Sequence, residues 1–327
     1  MALVYTTDEL LTTVKARAKI PNTQSDGTSD ADLLRWLNEA MDTDILPFMI
    51  SLREDYYVLT EKIDIVNGQE RYRIPKRALG NKIREIKYRN STSTTDASND
   101  IDMNFISREH LSSWQGSSNS TGAPGFFFED VDICLAPSDF SGGGSLIVSY
   151  FFRPGDLVLL TEARRITAIN ASEQGINQVT LDPDLPTGWT TSNLFDIHSQ
   201  DSGAEIKAFS RSGSLSTDKI VFLANIDGTE VGEKMPIIGD YVTLENEIVV
   251  PALPKVMHPV LAQSAVCSIL ESMGDYEGGG YQRKILNTMF DRMLELFKQR
   301  AEGEPSSVVN PDSVWYGGSN RYSGAWN

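Results

Sequence analysis

The sequence predicts an α+β fold. N- and C-terminal helices form a helical bundle, antiparallel β-hairpins and a small β-barrel or sandwich are inserted between them, and an extended C-terminal arm follows. Apolar residues recur at three- and four-residue spacing over the first sixty residues, then alternate through short β-branched and aromatic runs, and return to helical spacing after Pro254. Residues 304–327 show neither period.

The elements follow in order. Thr7 is placed to cap a first helix carrying Asp8 and Glu9 in its first turn and Leu10, Leu11 and Val14 on one face. Pro21 and the polar stretch behind it end that helix. Ser29, with Asp32 three residues on, opens a second helix with Leu33, Trp36, Leu37, Ala40 and Met41 on its stripe. Pro47 is expected to kink or interrupt the segment ending in Phe48, Ile50 and Leu52. Residues 56–66, the Asn67-Gly68-Gln69 turn and the return at 71–75 carry the strongest hairpin signal in the first half. A strand is expected around Ile83, Ile86 and Tyr88, a polar loop at 91–100, and a short helix from Phe105 to Trp114. Two long strands, 126–135 and 145–152, are expected on either side of the turn-rich APSDFSGGG.

Between 157 and 250, short strands are expected at 158–160, 166–169, 178–181, 205–209, 219–223, 241–244 and 248–250. That spacing suits a small antiparallel barrel or sandwich. Pro254 opens a C-terminal helix closed near Gly274, and a glycine-rich joint at 277–280 leads to a second helix with Ile285, Met289, Met293 and Leu296 on one stripe. The resulting division is 1–55 with 254–303 as the helical bundle, 56–156 as the β-hairpin region, 157–250 as the inserted β domain and 304–327 as the arm. Four aromatics, Trp315, Tyr316, Tyr322 and Trp326, lie in that arm with Arg321, its only basic residue. Tryptophan and tyrosine are favoured where chains meet. These five residues are therefore the candidate partner-binding set.

The chemistry points away from catalysis. The formal charge is −16, from 45 acidic and 29 basic residues, which opposes a surface that grips nucleic acid. The histidines, His110, His198 and His258, stand far apart, and the two cysteines, Cys134 and Cys267, make no disulfide scaffold. Ser199, His198 and Asp201 could be drawn as a triad, but no Gly-x-Ser-x-Gly elbow supports it. Asp182 and Asp184 around Pro183 read as a rigid turn, and the two triple-glycine runs lack the Lys-Ser/Thr of a phosphate loop. No metal site, nucleotide fingerprint or cofactor is expected, and none of the catalytic constellations is complete. The N-terminus lacks the pattern of a signal peptide, and no run of 18 apolar residues occurs. The expectation is a soluble protein made in a reducing cell interior.

The stretch 124–153, PGFFFEDVDICLAPSDFSGGGSLIVSYFFR, resembles a recurring segment of tailed-bacteriophage head-to-tail connector proteins, the adaptor or head-completion proteins. Pro124, Phe127, Phe128, Leu135, Pro137, Leu146, Tyr150, Phe151, Arg153 and Pro154 carry the likeness. Upstream, the helix with Leu33, Trp36, Leu37 and Ala40 and the segment 56–75 fit the same order of elements. Downstream, 253–275 and its companion 281–301 resemble the C-terminal helices of those adaptors. The resemblance implies a structural virion protein at the head-tail junction, made in the host cytoplasm. It implies a homo-oligomeric ring of about twelve subunits (a dodecamer) that meets the portal protein on one side and a tail or nozzle protein on the other. DNA would pass through the lumen without specific binding, during packaging and ejection, and no membrane is involved. Another ring protein of the tail or baseplate, a tail terminator or tube component, is the main rival. A host-surface binding module is a further one, for which Trp189 is the aromatic candidate.

Overall fold

The computed structural model describes residues 5–20, 29–90, 100–111, 124–136, 144–172, 175–226, 228 and 233–297. Helix α1 (Thr7–Ala18) begins one residue earlier than the sequence suggests. Thr6 is its cap, and the Thr6 amide donates to the Glu9 carboxylate at 3.0 Å. Thr7 is fully buried, and both its amide and its hydroxyl donate to the Val249 carbonyl at 2.9 Å. The start of the chain is thereby tied to the segment just before the C-terminal helices. Helix α2 (Asp30–Ala40) opens on the expected box: Ser29 Oγ accepts from the Asp32 amide, and the Asp32 carboxylate accepts from the Ser29 amide. Pro47 does not break the chain's helical course. A π-helical turn at Met41–Ile45 precedes α3 (Leu46–Leu52), and Pro47 falls in the first turn of α3, where no intrahelical amide is required.

The expected hairpin at 56–75 does not form. The turn itself does, with Gly68 at φ 82° and the Gln69 amide donating to Val66 O at 3.0 Å. Its two arms, however, join different sheets. Strand β1 (Val58–Asp64) pairs with β7 (Ser145–Phe152), while β2 (Arg71–Arg73) pairs with β6 (Asp132–Ala136). The first sheet has the order β1-β7-β3-β4, with β3 (Ala78–Arg89) and β4 (Ile101–Asp102). The second is β2-β6-β5, with β5 (Gly125–Glu129). What was expected as a single strand at 126–135 is the hairpin β5–β6, turning at Asp130 with φ 55°. Of the short helix expected from Phe105 to Trp114, the described part holds a 3-10 turn at Arg108–His110, Phe105 itself bridges to Phe126, and residues 112–114 lie outside the described residues.

The middle of the chain closes into a six-stranded antiparallel barrel. Its strands are β9 (Arg164–Ser172), β10 (Gly175–Asp182), β11 (Leu194–Ser199), β12 (Ser202–Ser216), β13 (Lys219–Ile226) and β14 (Tyr241–Leu244), closed in the order β10-β13-β12-β11-β14-β9. Val179, Phe195, Ile197, Ile220 and Val242 fill it, with Trp189 packed on Phe195 at 5.1 Å between ring centroids. Residues 158–160 and 248–250 stay outside the barrel. Beside them, β8 (Asp156–Leu157) and β15 (Glu247–Ile248) form a parallel clip at its base.

Helix α4 (His258–Ser272) is almost entirely buried, whereas α5 (Tyr276–Phe297) buries only Gly279 and Leu286. The glycine-rich joint expected at 277–280 lies inside α5. The Asp275 carboxylate accepts from the Gly278 amide at 2.9 Å, which starts the helix, and a Cβ on Gly279 would stand 3.2 Å from Glu271 Cγ. Glycine there permits close helix–helix approach rather than flexing. Helices from both chain ends meet. Arg17 donates to Pro259 O and to Gln263, Ser264 donates to Asp44, and Phe48 packs on Phe290 at 4.6 Å. They do not close on themselves as a separate bundle. Leu10, Leu37, Val260 and Leu261 share one core with Ile86, Tyr88, Val148, Tyr150 and Phe152 of the first sheet. Strand β7 is buried along nearly its whole length and needs cover on both faces, so the helices form a layer over the sheet.

Candidate functional site

The residues that could do chemistry are dispersed and engaged structurally. His258 is fully buried, its Nε2 lies 3.2 Å from Leu253 O, and burial lowers its pKa to about 4. His198 is buried near Asp196 and Arg77, with neither ring nitrogen in an ordinary hydrogen bond, and burial lowers its pKa to about 4 as well. The paper triad does not assemble, because Asp201 pairs with Lys255 at 2.7 Å and the Ser199 hydroxyl accepts from the Asp201 amide. Asp182–Pro183 is a cis peptide in the turn after β10. Cys134 and Cys267 are buried free thiols. Among the described residues no group of three or more His, Cys, Asp or Glu is placed to hold a metal ion. No helix among them is long and apolar enough to cross a membrane.

A cleft of about 820 Å³ lies between the outer face of the first sheet and the start of β12. Its charges cancel in pairs: Lys87 with Glu85, Arg89 with Asp100, and Lys234 with Glu205. Hydrogen bonds from Lys234, then Lys207, hold the Glu205 carboxyl down to about 2. A cleft so neutralised presents neither a free base nor a cationic phosphate cradle.

What the chain offers instead is contact surface. Phe105, Phe126 and Phe128 stack at 5.5–6.0 Å, and Phe105 is 63% exposed. Beside them Glu129 bridges Arg71 and Arg108. Met235, Ile237 and Ile238 project from the loop before β14, and Leu223 from β13. Along α5, Tyr276, Tyr281 and Leu296 are open to solvent, while Ile285, Met289, Phe290 and Met293 are half-buried. Single exposed apolar residues are ordinary; groups of them on one element mark interaction sites. Sequence reading placed the contact set in the arm, and Trp315, Tyr316, Arg321, Tyr322 and Trp326 lie outside the described residues. It also gave α5 one apolar stripe, of which Met289, Phe290 and Met293 pack against the core while Leu296 is exposed. The signal it lacked was the depth of α4, which leaves α5 only one side to cover. Trp189, the aromatic candidate for a host-surface groove, is buried in the barrel, so that reading loses its residue.

Apolar groups at the periphery mark surfaces suited to contact with other proteins. A family model described as SU10 adaptor protein matches residues 5–173, just over half of the chain, from α1 into β9. The chain belongs to that family and is a phage structural adaptor, a virion component that meets other phage head or tail proteins. No curated protein matches it.

Proposed function

We propose that the protein is a ring adaptor at the head-tail junction. Copies assemble around a central channel, bind the portal on one side and receive the tail or nozzle on the other, with DNA passing through the lumen ungripped. The observation that carries this reading is the adaptor-family match over residues 5–173, which takes in α1–α3 and the first sheet, together with the barrel that begins where the match ends. The helix-on-sheet layer serves as the ring body. The arm with Trp315, Tyr316, Arg321, Tyr322 and Trp326 reaches the portal or a neighbouring subunit. The acidic balance, −16 per chain, suits a lumen that repels phosphate and lets the duplex slide. Electron microscopy of the protein alone and bound to portal-bearing particles tests the reading. The expected image is a ring below the portal with a channel wide enough for duplex DNA. Density elsewhere on the particle, or a solid plug, overturns it.

A further inference from the structure

We infer that neighbouring copies join head to tail through α4 and α5: the outer flank of α5 in one copy seats in the groove between α2 and α4 of the next. This rests on the ring reading above and names its interface. The flank carries Ile285, Met289, Arg292 and Leu296 at spacings of four, three and four, the pattern of a helical seam. Leu296 is 66% exposed, while Ile285 and Met289 are partly exposed at its edge, Met289 also packing against the chain's own core. Arg292 is the single charge on that flank. The groove holds about 280 Å³ over Trp36, Ile269 and Met273, and Met273 is 60% exposed. Asp32 and Glu39 outnumber Arg35 on its rim, so an apolar floor with net negative charge faces an apolar ridge with one cation.

The placement of the two surfaces selects the occupant. Helix α5 lies against Gln263, Cys267 and Glu271 of α4. Gln263 donates to Gln282, Arg283 donates to Glu271 at 2.7 Å, and Gly279 packs beside Cys267 O and Glu271. Ile269, which floors the groove, stands two residues beyond Cys267. With 3.6 residues per turn, that is a rotation of about 200°. Helix α5 and the groove therefore lie on opposite sides of α4, and one chain cannot bring the flank of its own α5 into its own groove. A second copy can, and because the surfaces differ, each added copy leaves a fresh ridge and a fresh groove. That is a heterologous contact, which closes into a ring when its rotation divides a full turn.

The test uses the full-length chain with a cysteine at one surface at a time, Leu296→Cys or Met273→Cys, and a short bismaleimide; the native thiols are buried. Each variant is checked for a wild-type circular dichroism spectrum. The mixture of the two is expected to yield cross-linked dimer at least about tenfold faster than either variant alone, since only the mixture juxtaposes ridge and groove. Placing Arg292→Glu on the Leu296→Cys copy should lower that yield, and Glu39→Arg on the Met273→Cys copy should restore it. Homodimers forming as fast as the mixture, no cross-link in the mixture, or no rescue overturns the interface. The ring reading fails separately, when particles imaged by electron microscopy show no ring at the portal.

Discussion

Breaking the buried ion pair between Arg77 and Asp196 should loosen the barrel from the body of the subunit. Arg77 lies in the turn between β2 and β3, Asp196 in barrel strand β11, and their side chains are 7% and 0% exposed. The Asp196 carboxylate also accepts from the amides of Ser210 and Asn246, each at 2.8 Å. Three donors from three segments thus converge on one carboxylate. Arg77→Met removes the only cationic partner and leaves a buried charge on two amides, which costs about 3–5 kcal/mol by analogy with other buried pairs. Asp196→Asn strands Arg77 instead and points an amide hydrogen at a donor, at a similar cost. The double variant carries no buried charge, so its loss should fall short of the sum of the singles by about 1–3 kcal/mol. Urea unfolding followed by circular dichroism gives the three free energies, and hydrogen exchange of barrel amides shows where the loss is felt. Single losses below about 0.5 kcal/mol, or additive ones, would refute the view that this pair acts as a coupled staple.

The remaining expectations concern pH, packing and the arm. Burial holds His258 and His198 near pKa 4, below the unfolded value of about 6.5. The unfolded chain therefore binds more protons between those limits, and the stability these residues contribute above pH 6.5 is lost as pH falls towards 4. Glu61, Glu247 and Asp240 are pushed upward chiefly by burial and act in the opposite sense, so urea midpoints should decline gently over pH 6.5–4 and His258→Gln should flatten the decline. A midpoint that rises on acidification through this window contradicts the assignment. Gly203→Ala places a Cβ 2.0 Å from the Val250 carbonyl, backbone that cannot swing aside, and should cost about 1–3 kcal/mol in thermal unfolding. Gly188→Ala, with nothing within 4 Å, should lie within about 0.5 kcal/mol of wild type; equal effects would discredit the steric reasoning. Deleting 305–327 should leave thermal unfolding unchanged while abolishing sedimentation with portal-bearing particles; undiminished cosedimentation counts against the arm.

Helices were legible where local physics decides them. The Ser29–Asp32 box and the Leu33–Leu37–Ala40 stripe need no distant partner to be read. Strand identity was also largely visible, because β-branched and aromatic runs between turn residues carry it. Strand partnership was not. Asn67-Gly68 makes a tight turn, yet the segments it joins pair with β7 and β6, roughly sixty to ninety residues away. Strand β7 has both edges free to recruit neighbours and both faces apolar, so it takes β1 on one side and β3 on the other, and this gain outweighs the local hairpin. The turn at Asp130 was hidden differently, since Asp130 and Asp132 alternate with Val131 and Ile133 as the residues of a continuous strand would. For the contact surfaces, helical periodicity announces an apolar stripe but not what covers it. Only the depth of α4 reveals that half of the α5 stripe is left over.

The barrel is not a free appendage, and this constrains how a ring can be built. Strand β12 runs for 15 residues and serves two cores: Ile206 packs into the main core with Val148 and Tyr57, while Ala208 packs into the barrel with Phe195 and Ile220. At its start the Gly203 amide donates to Pro251 O, and Tyr56 meets Ser202 at 3.2 Å. Arg77 and Asp196 hold a second point nearby, and the β8–β15 clip a third. Three separate attachments of this kind oppose independent movement of the barrel relative to the body. On the ring reading proposed above, the angle between successive copies would be set where the helices of one copy meet those of the next.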